Sequence, residues 1–201
     1  YLRRKINNLT IYPPSIDLSE VENRRYSAMP QNKNREKLKI VFTGSVYKAH
    51  EDAVLAFLEA AKRVKDVQVS FATPKDSIIS DPLKSLFEKV NVGFLPKKSC
   101  IELQRAADVL FLPLASNSPY PEEIKCAFPC KLLEYLAAGK PVLAVVPKGS
   151  FVESFINKYE VGIAVTELSA EKIAEAIEEL KDVEKRKKYG KNALKTAVSY
   201  T

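Results

Sequence analysis

The sequence predicts an α/β protein built on a Rossmann-like, doubly wound parallel sheet of about six strands. Three observations carry that reading. Short β-rich runs alternate with helical patterns from Leu38 to the end of the chain. The helical patterns run to about a dozen residues, the crossover length that parallel neighbours require. One run, DVLFLPLA, is apolar almost throughout, as a strand covered on both faces must be.

Taken in order, KLKIVFTG is a strand entering a glycine turn, and AVLAFLEAAKRV behind it has apolar residues at helical spacing. VQVSFATP is a second strand. DPLKSLFEKV is a helix with Asp81 as its cap and Pro82 in the first turn, where a missing N–H costs nothing. VNVGFLP is a third strand, and SCIELQRAA a short helix capped by Ser99. DVLFLPLA is the fourth strand. FPCKLLEYLAAGKPVLAVV supplies a helix ending at Gly139, the expected left-handed terminus, and a fifth strand, PVLAVV. Helix GSFVESFINKY, strand VGIAV and a helix opening at Ser169, SAEKIAEAIEEL, follow. A basic helix, VEKRKKYGKNALKTAVSY, closes the chain, with Gly190 weakening its middle.

Residues 1–37 stand apart. They hold one short strand, LTIY, then Pro13-Pro14 and the polar stretch NRRYSAMPQNKNREK, which reads as a linker arriving from a preceding domain. The chain is therefore read as part of a longer protein, with one domain over 38–201.

Composition sets the broad class: 46% hydrophobic and 28% charged residues are proportions of a soluble globular domain. No apolar run approaches the roughly 20 residues of a membrane span, and YLRRKINNLT lacks the apolar stretch of a secretory signal. A cytoplasmic address follows. Three cysteines, Cys100, Cys126 and Cys130, are an odd number and read as reduced thiols. The Cys126-x-x-x-Cys130 spacing lacks a second ligand pair, so no metal site is expected.

The net charge of +7 raises the question of nucleic acid, and its distribution answers it. Residues 1–39 hold nine Lys and Arg against four acids, 40–180 sixteen against nineteen, and 181–201 seven against two. Basic ends on a mildly acidic core are not the continuous stripe of a nucleic-acid binder. They read as solvated surface, with attraction to an anionic membrane face as a second reading.

Ligands of open α/β sheets bind beyond the carboxyl ends of the strands, near the point where strand order reverses. Three loops lie at that end. The first, TGSVYKAHED, matches neither G-x-G-x-x-G nor G-x-x-x-x-G-K-[ST]. It offers Gly44 for close backbone approach, with Ser45, Tyr47, Lys48 and His50 as polar contacts. His50, the single histidine, reads either as a helix-cap residue or as a ligand contact, and Lys48 either as a solvated loop charge or as a phosphate contact. In the second loop, GFLPKKSC, the backbone of Phe94 and Leu95 is placed to meet a flat base edge; the alternative is a plain turn at Pro96. The third, ASNSPYPEEIKCAFPCK, is too long and proline-rich for a mere connector. It leads into the helix holding Lys131 and Glu134. A helix beginning near Pro129 turns the Cys130 and Lys131 amides and its dipole toward an anion, and the Lys131 ammonium adds a full charge. Glu134, one turn deeper, reads either as a polar helix edge or as a carboxylate accepting two sugar hydroxyls in a fork.

FPCKLLEYLAAGKPVLAVV closely resembles the nucleotide-sugar motif of retaining GT-B glycosyltransferases of glycosyltransferase family 4, in the branch with P-x-K-x-x-E-Y-x-A-x-G-K-P. IYPPSID is similar to that family's hinge into its second domain, and KIVFTGSVYKAHEDAVLAFLEAAK to the first strand, phosphate loop and helix of that domain. The resemblance implies the C-terminal, donor-binding half of an enzyme moving a sugar from a nucleoside diphosphate to a glycan or lipid-linked acceptor. An acceptor domain would precede this segment. Glu134 would hold the donor ribose, Cys130 and Lys131 the diphosphate, and Phe94 or Leu95 the base. A UDP-sugar is favoured over a GDP-sugar, with no further cofactor and no metal, in keeping with the lack of a D-x-D pair.

Two departures accompany the resemblance. The family's first glutamate, eight positions before Glu134, falls at Cys126, leaving Glu122 or Glu123 as substitutes. The arginine and lysine of its phosphate loop fall at Ser45 and His50. A non-catalytic nucleotide-binding module of the same fold, or a nucleotide-sugar epimerase, are the alternatives.

Overall fold

The computed structural model describes residues 37–74, 81–90 and 92–200, Pro82 by its backbone only. Except for Lys37, the expected linker over 1–37, with its LTIY strand and IYPPSID hinge, lies outside the described residues. Five parallel strands form one sheet: β1 (Leu38–Thr43), β2 (Val67–Ala72), β3 (Val109–Pro113), β4 (Val142–Val145) and β5 (Gly162–Val165), in the order β2-β1-β3-β4-β5. The helices are α1 (Glu51–Arg63), α2 (Asp81–Phe87), α3 (Lys97–Ala106), α4 (Pro121–Cys126), α5 (Cys130–Ala137), α6 (Phe151–Tyr159), α7 (Ala170–Glu179) and α8 (Val183–Val198). The expected doubly wound α/β architecture is present.

Alternation along the central strands sorts their side chains into two cores. Ile40 and Phe42, Val109 and Phe111, and Leu143 and Val145 face α1 and α7. Val41, Leu110, Leu112, Val142 and Ala144 face α5, α6 and α8. A parallel strand has to be apolar on both faces for this to work, because crossover helices cover both. Phe57 of α1 stacks on Phe111 with ring centroids 3.9 Å apart. At the β4–β5 edge, Gly162 lies so close to the Val142 carbonyl that a Cβ there would run into it. Only glycine fits.

Several boundaries differ from the sequence reading. VNVGFLP does not form a strand among the described residues; it contributes two bonds to the edge of β2, from Phe71 N to Val90 O (2.9 Å) and from Val92 N to Phe71 O (2.8 Å). Gly93 follows at φ +81°, a left-handed conformation outside strand geometry. Helix α3 starts at Lys97 behind Pro96, so Ser99 lies inside it and caps nothing. Asp81 is likewise the first residue of α2 and pairs with Lys84 rather than preceding the helix. The long loop contains α4, which opens on Pro121, a residue suited to the first turn. Other signals hold: Ser169 Oγ accepts from Lys172 N, and Gly139 takes φ +67° after α5. No described helix is long and apolar enough to cross a membrane.

Candidate functional site

Strand order reverses between β1 and β3: the chain leaves β1 for β2 on one side and returns to β3 on the other. The crevice beyond their carboxyl ends is where an open sheet of this kind leaves room for a ligand. A pocket of about 230 Å³ opens there, lined by Phe42 of β1, Leu112 and Pro113 of β3, Ser45, Tyr47 and His50 of the first loop, and Pro129, Cys130 and Lys131 at the start of α5.

Gly44 closes β1 at φ +114°, a conformation that side chains oppose, and its amide donates to Ala72 O at 2.9 Å. A methyl group built on it would sit 2.5 Å from Lys131 Nζ. The bare backbone thus leaves the place that the Lys131 side chain occupies. That ammonium also lies 4.2 Å from the centroid of the Phe42 ring, an attractive placement for a cation over a π face. Burial pulls the Lys131 pKa down to about 8, against the attraction of Glu134, which raises it. The first-turn amides of Cys130 and Lys131 have no acceptor within α5. Leu132 N, the next, is already taken by Pro129 O at 2.9 Å.

His50 ends a single 3-10 turn, Lys48–His50, and is buried, with its ring 4.0 Å from that of Tyr47. Burial, reinforced by the Lys131 charge, lowers its pKa to about 4, while the Ser45 backbone opposes the shift. The imidazole is therefore neutral at pH 7, and its Nδ1 has no hydrogen-bond partner among the described residues. Lys48 is exposed and does not line the pocket.

Behind the pocket, residues of three elements meet. Gln104 of α3, 1% exposed, donates from Nε2 to Thr43 Oγ1 at 2.9 Å and to Glu134 Oε2 at 3.5 Å. The Thr43 amide donates to the buried Tyr135 hydroxyl at 3.2 Å, and that hydroxyl, desolvated, titrates far above its ordinary value. Cys100 donates its thiol to Leu95 O at 3.4 Å; burial and then the Glu134 charge raise its pKa, while Lys131 lowers it. Leu95 thus reaches the Glu134 side of the site through Cys100. The Phe94 side chain points outward, 73% exposed.

Asp52, in the first turn of α1, ties the front of the site together. Its Oδ2 accepts from Ser116 N at 2.9 Å and Asn117 N at 2.8 Å, and beside it Ala115 N donates to Ala49 O at 2.8 Å. The loop after β3 is thereby fastened to the turn after β1. Cys126 ends α4 as an exposed residue, and Glu122, one turn earlier, pairs with Lys125 on the surface; Glu123 is exposed.

Of the sequence-predicted residues, the fold brings His50, Cys130 and Lys131 to the lining of one pocket, with Gly44 against the Lys131 side chain and Glu134 beside Gln104. Lys48 and Phe94 are not among the residues lining it. Thr43, Asp52, Cys100, Gln104 and Tyr135 are additions. Gln104 carries no readable signal in the sequence, since α3, KKSCIELQRA, is largely polar and Gln104 is its one buried residue. Among the described residues no group of three or more His, Cys, Asp or Glu side chains is arranged to hold a metal ion.

Residues 24–196 match the family model described as glycosyl transferases group 1. Among solved structures, the chain is similar to sucrose-phosphate synthase from Thermosynechococcus elongatus, at 16% identity and a TM-score of 0.68 over 94% of this chain and 47% of that one. WaaG, a glycosyltransferase involved in lipopolysaccharide biosynthesis, gives 19% identity and 0.61 over 94% and 52%. Anabaena Alr3699/HepE, solved in complex with UDP and glucose, gives 18% and 0.59 over 92% and 49%. The chain spans about half the length of these structures, and at such identities the likeness shows the fold. No curated protein matches.

Proposed function

The chain belongs to the glycosyl transferases group 1 family, and from that premise we propose that it is the donor-binding, C-terminal half of a retaining GT-B enzyme of glycosyltransferase family 4. The enzyme moves a sugar from a nucleoside diphosphate to a glycan or lipid-linked acceptor in polysaccharide or glycoconjugate synthesis. The observation that carries this reading is the placement of Lys131 and Glu134 on successive turns of one helix start, with Lys131 in the pocket at the switch point.

The division of labour follows from charge. When the bond between sugar and β-phosphate breaks, negative charge grows on the departing diphosphate, and fixed donors that meet it lower the barrier. The Lys131 ammonium and the Cys130 and Lys131 amides supply those donors, and Gly44 lets the phosphates approach the backbone. Glu134 accepts the ribose hydroxyls, and the backbone of Phe94 and Leu95 meets the base. His50, neutral at pH 7, serves as a hydrogen-bonding contact rather than a phosphate cation, and exposed Lys48 contributes long-range attraction. A UDP-sugar is the first donor to test, supported by the UDP in the Anabaena structure.

Residues 1–37 are the linker from an acceptor domain, and 38–201 the donor domain. The protein works on the cytoplasmic side with its basic ends solvated, and attraction to an anionic membrane face is the second reading of those ends. One observation favours a second reading, a non-catalytic nucleotide-binding module: Cys126 stands where the family has a carboxylate. The test is sugar transfer by the longest natural chain that contains these residues, with Glu134→Ala beside it. Transfer that Glu134→Ala abolishes without unfolding the protein supports the enzyme. Donor binding without transfer to any acceptor supports the module, and epimer formation without acceptor a nucleotide-sugar epimerase. Sustained transfer by this chain alone overturns the division into halves.

A further inference from the structure

Two neighbours of the Glu134 carboxylate, Lys131 and Gln104, differ in kind. Lys131, one turn earlier, attracts it, as the upward pull of Glu134 on the Lys131 pKa shows. An ammonium is a compact point charge and does not select one plane of a carboxylate. Gln104 is different in kind. Its amide is planar and its two N–H bonds are fixed 120° apart by sp² geometry, so anchoring one aims the other. The anchor is Thr43 Oγ1 at 2.9 Å, itself at the end of β1, and the other N–H faces Glu134 Oε2 at 3.5 Å. Thr43 is held in turn by its amide's bond to Tyr135 on α5, the same helix that carries Glu134. The orientation of the amide follows from its surroundings: turning it over would set its oxygen against the carboxylate. That orientation leaves Gln104 Oε1 buried without a hydrogen-bond partner among the described residues. A buried acceptor left unmade is a cost to folding, and the glutamine holds the arrangement despite it.

We propose that Gln104 is the positioning residue of the nucleotide site: it fixes the carboxylate plane of Glu134 so that Glu134 meets the ribose hydroxyls of the donor. The inference rests on the ribose role given to Glu134 above. The bond to Oε2 is long without ligand, and a bound ribose that draws Glu134 into register shortens it. Because the effect passes through Glu134, it is felt only by ligands that have ribose hydroxyls.

The test uses the longest natural chain that contains these residues and compares, by calorimetric titration, the tightest binder among UDP, GDP and ADP with the 2′,3′-dideoxy form of the same nucleotide. In the unaltered protein the hydroxyl-bearing nucleotide binds more tightly. Gln104→Leu weakens it by roughly fivefold, the loss of one side-chain hydrogen bond, and leaves the dideoxy form unchanged. In a Glu134→Ala background, Gln104→Leu has no further effect. Thr43→Val, which removes the anchor, reproduces the selective loss and serves where Gln104→Leu does not fold. Equal weakening of both nucleotides, or no change in either, overturns the positioning role and leaves the ribose role of Glu134 standing. An unaltered protein that binds the two nucleotides equally overturns the ribose role, and the Gln104 role with it.

Discussion

The ammonium of Lys131 occupies the space that a side chain on Gly44 would fill: a Cβ built there lies 2.5 Å from Nζ and 2.9 Å from Cε. Two segments far apart in sequence, the turn after β1 and the start of α5, therefore share one small volume. Gly44→Ala has to displace the lysine and hold alanine at φ +114°. The backbone strain costs about 1–3 kcal/mol, read from the urea midpoint, and the displaced ammonium weakens diphosphate binding. An alanine variant of unchanged stability and affinity would show that the close approach has no consequence.

Lys131 gives the site a pH dependence. With its pKa lowered to about 8 by burial, it loses its proton as pH rises through that value, and the free site loses its cation. A bound diphosphate raises the pKa, so binding takes up a proton and affinity falls with rising pH above about 8. Titrations from pH 6.5 to 9.5 follow this, and Lys131→Met binds weakly with a flatter profile. An affinity in the unaltered protein that stays level to pH 9.5 contradicts it.

His50 acts on stability at the acid side. Its folded pKa of about 4 lies below the ordinary 6.5, so between those values the unfolded chain binds the extra proton and the folded chain does not. Stability is lost as pH falls from 6.5 through 4, roughly 3 kcal/mol in full. His50→Asn does not titrate and lacks this slope, whereas surface carboxylates titrate in both proteins. Denaturant midpoints at pH 7 and pH 5 for the two proteins isolate the difference.

How much of this was legible in the sequence depends on whether a residue's role is local. The apolar runs LKIVFT and VLFLP predict buried strands because both faces must be covered, and Gly139 predicts a helix end because the left-handed turn suits glycine. VNVGFLP has the same pattern but meets only the edge of β2, and Gly93 at φ +81° departs from strand geometry. Ser99 has the residue type of a cap, but Pro96, three positions earlier, holds the cap position and the helix begins at Lys97. In the site, Gly44, Lys131 and Glu134 were readable because the glycine turn, helix start and motif announce them. Thr43, Gln104 and Tyr135 were not, since their function lies in hydrogen bonds to residues as many as 92 positions away.

Asp52 belongs to that second group, an acid in a first helical turn that any helix welcomes. Its bonds to Ser116 N and Asn117 N make it the fastener of the loop after β3. Asp52→Ala lowers stability by about 1.5–3 kcal/mol, the range for hydrogen bonds to a charged group. Hydrogen exchange at the Ser116 and Asn117 amides quickens, while that of the β3 amides changes only with global stability. Unchanged exchange at those two amides would remove the fastening role.

Whether the start of α5 holds a nucleoside diphosphate is read by calorimetric titration of the protein with UDP, GDP and ADP and then with their sugar conjugates, beside Lys131→Ala and Glu134→Ala. One diphosphate is expected to bind selectively, and each substitution to weaken it by roughly tenfold, as loss of a charged hydrogen-bond partner does. A folded protein that binds none of the three, or that binds one with an affinity neither substitution changes, would contradict it.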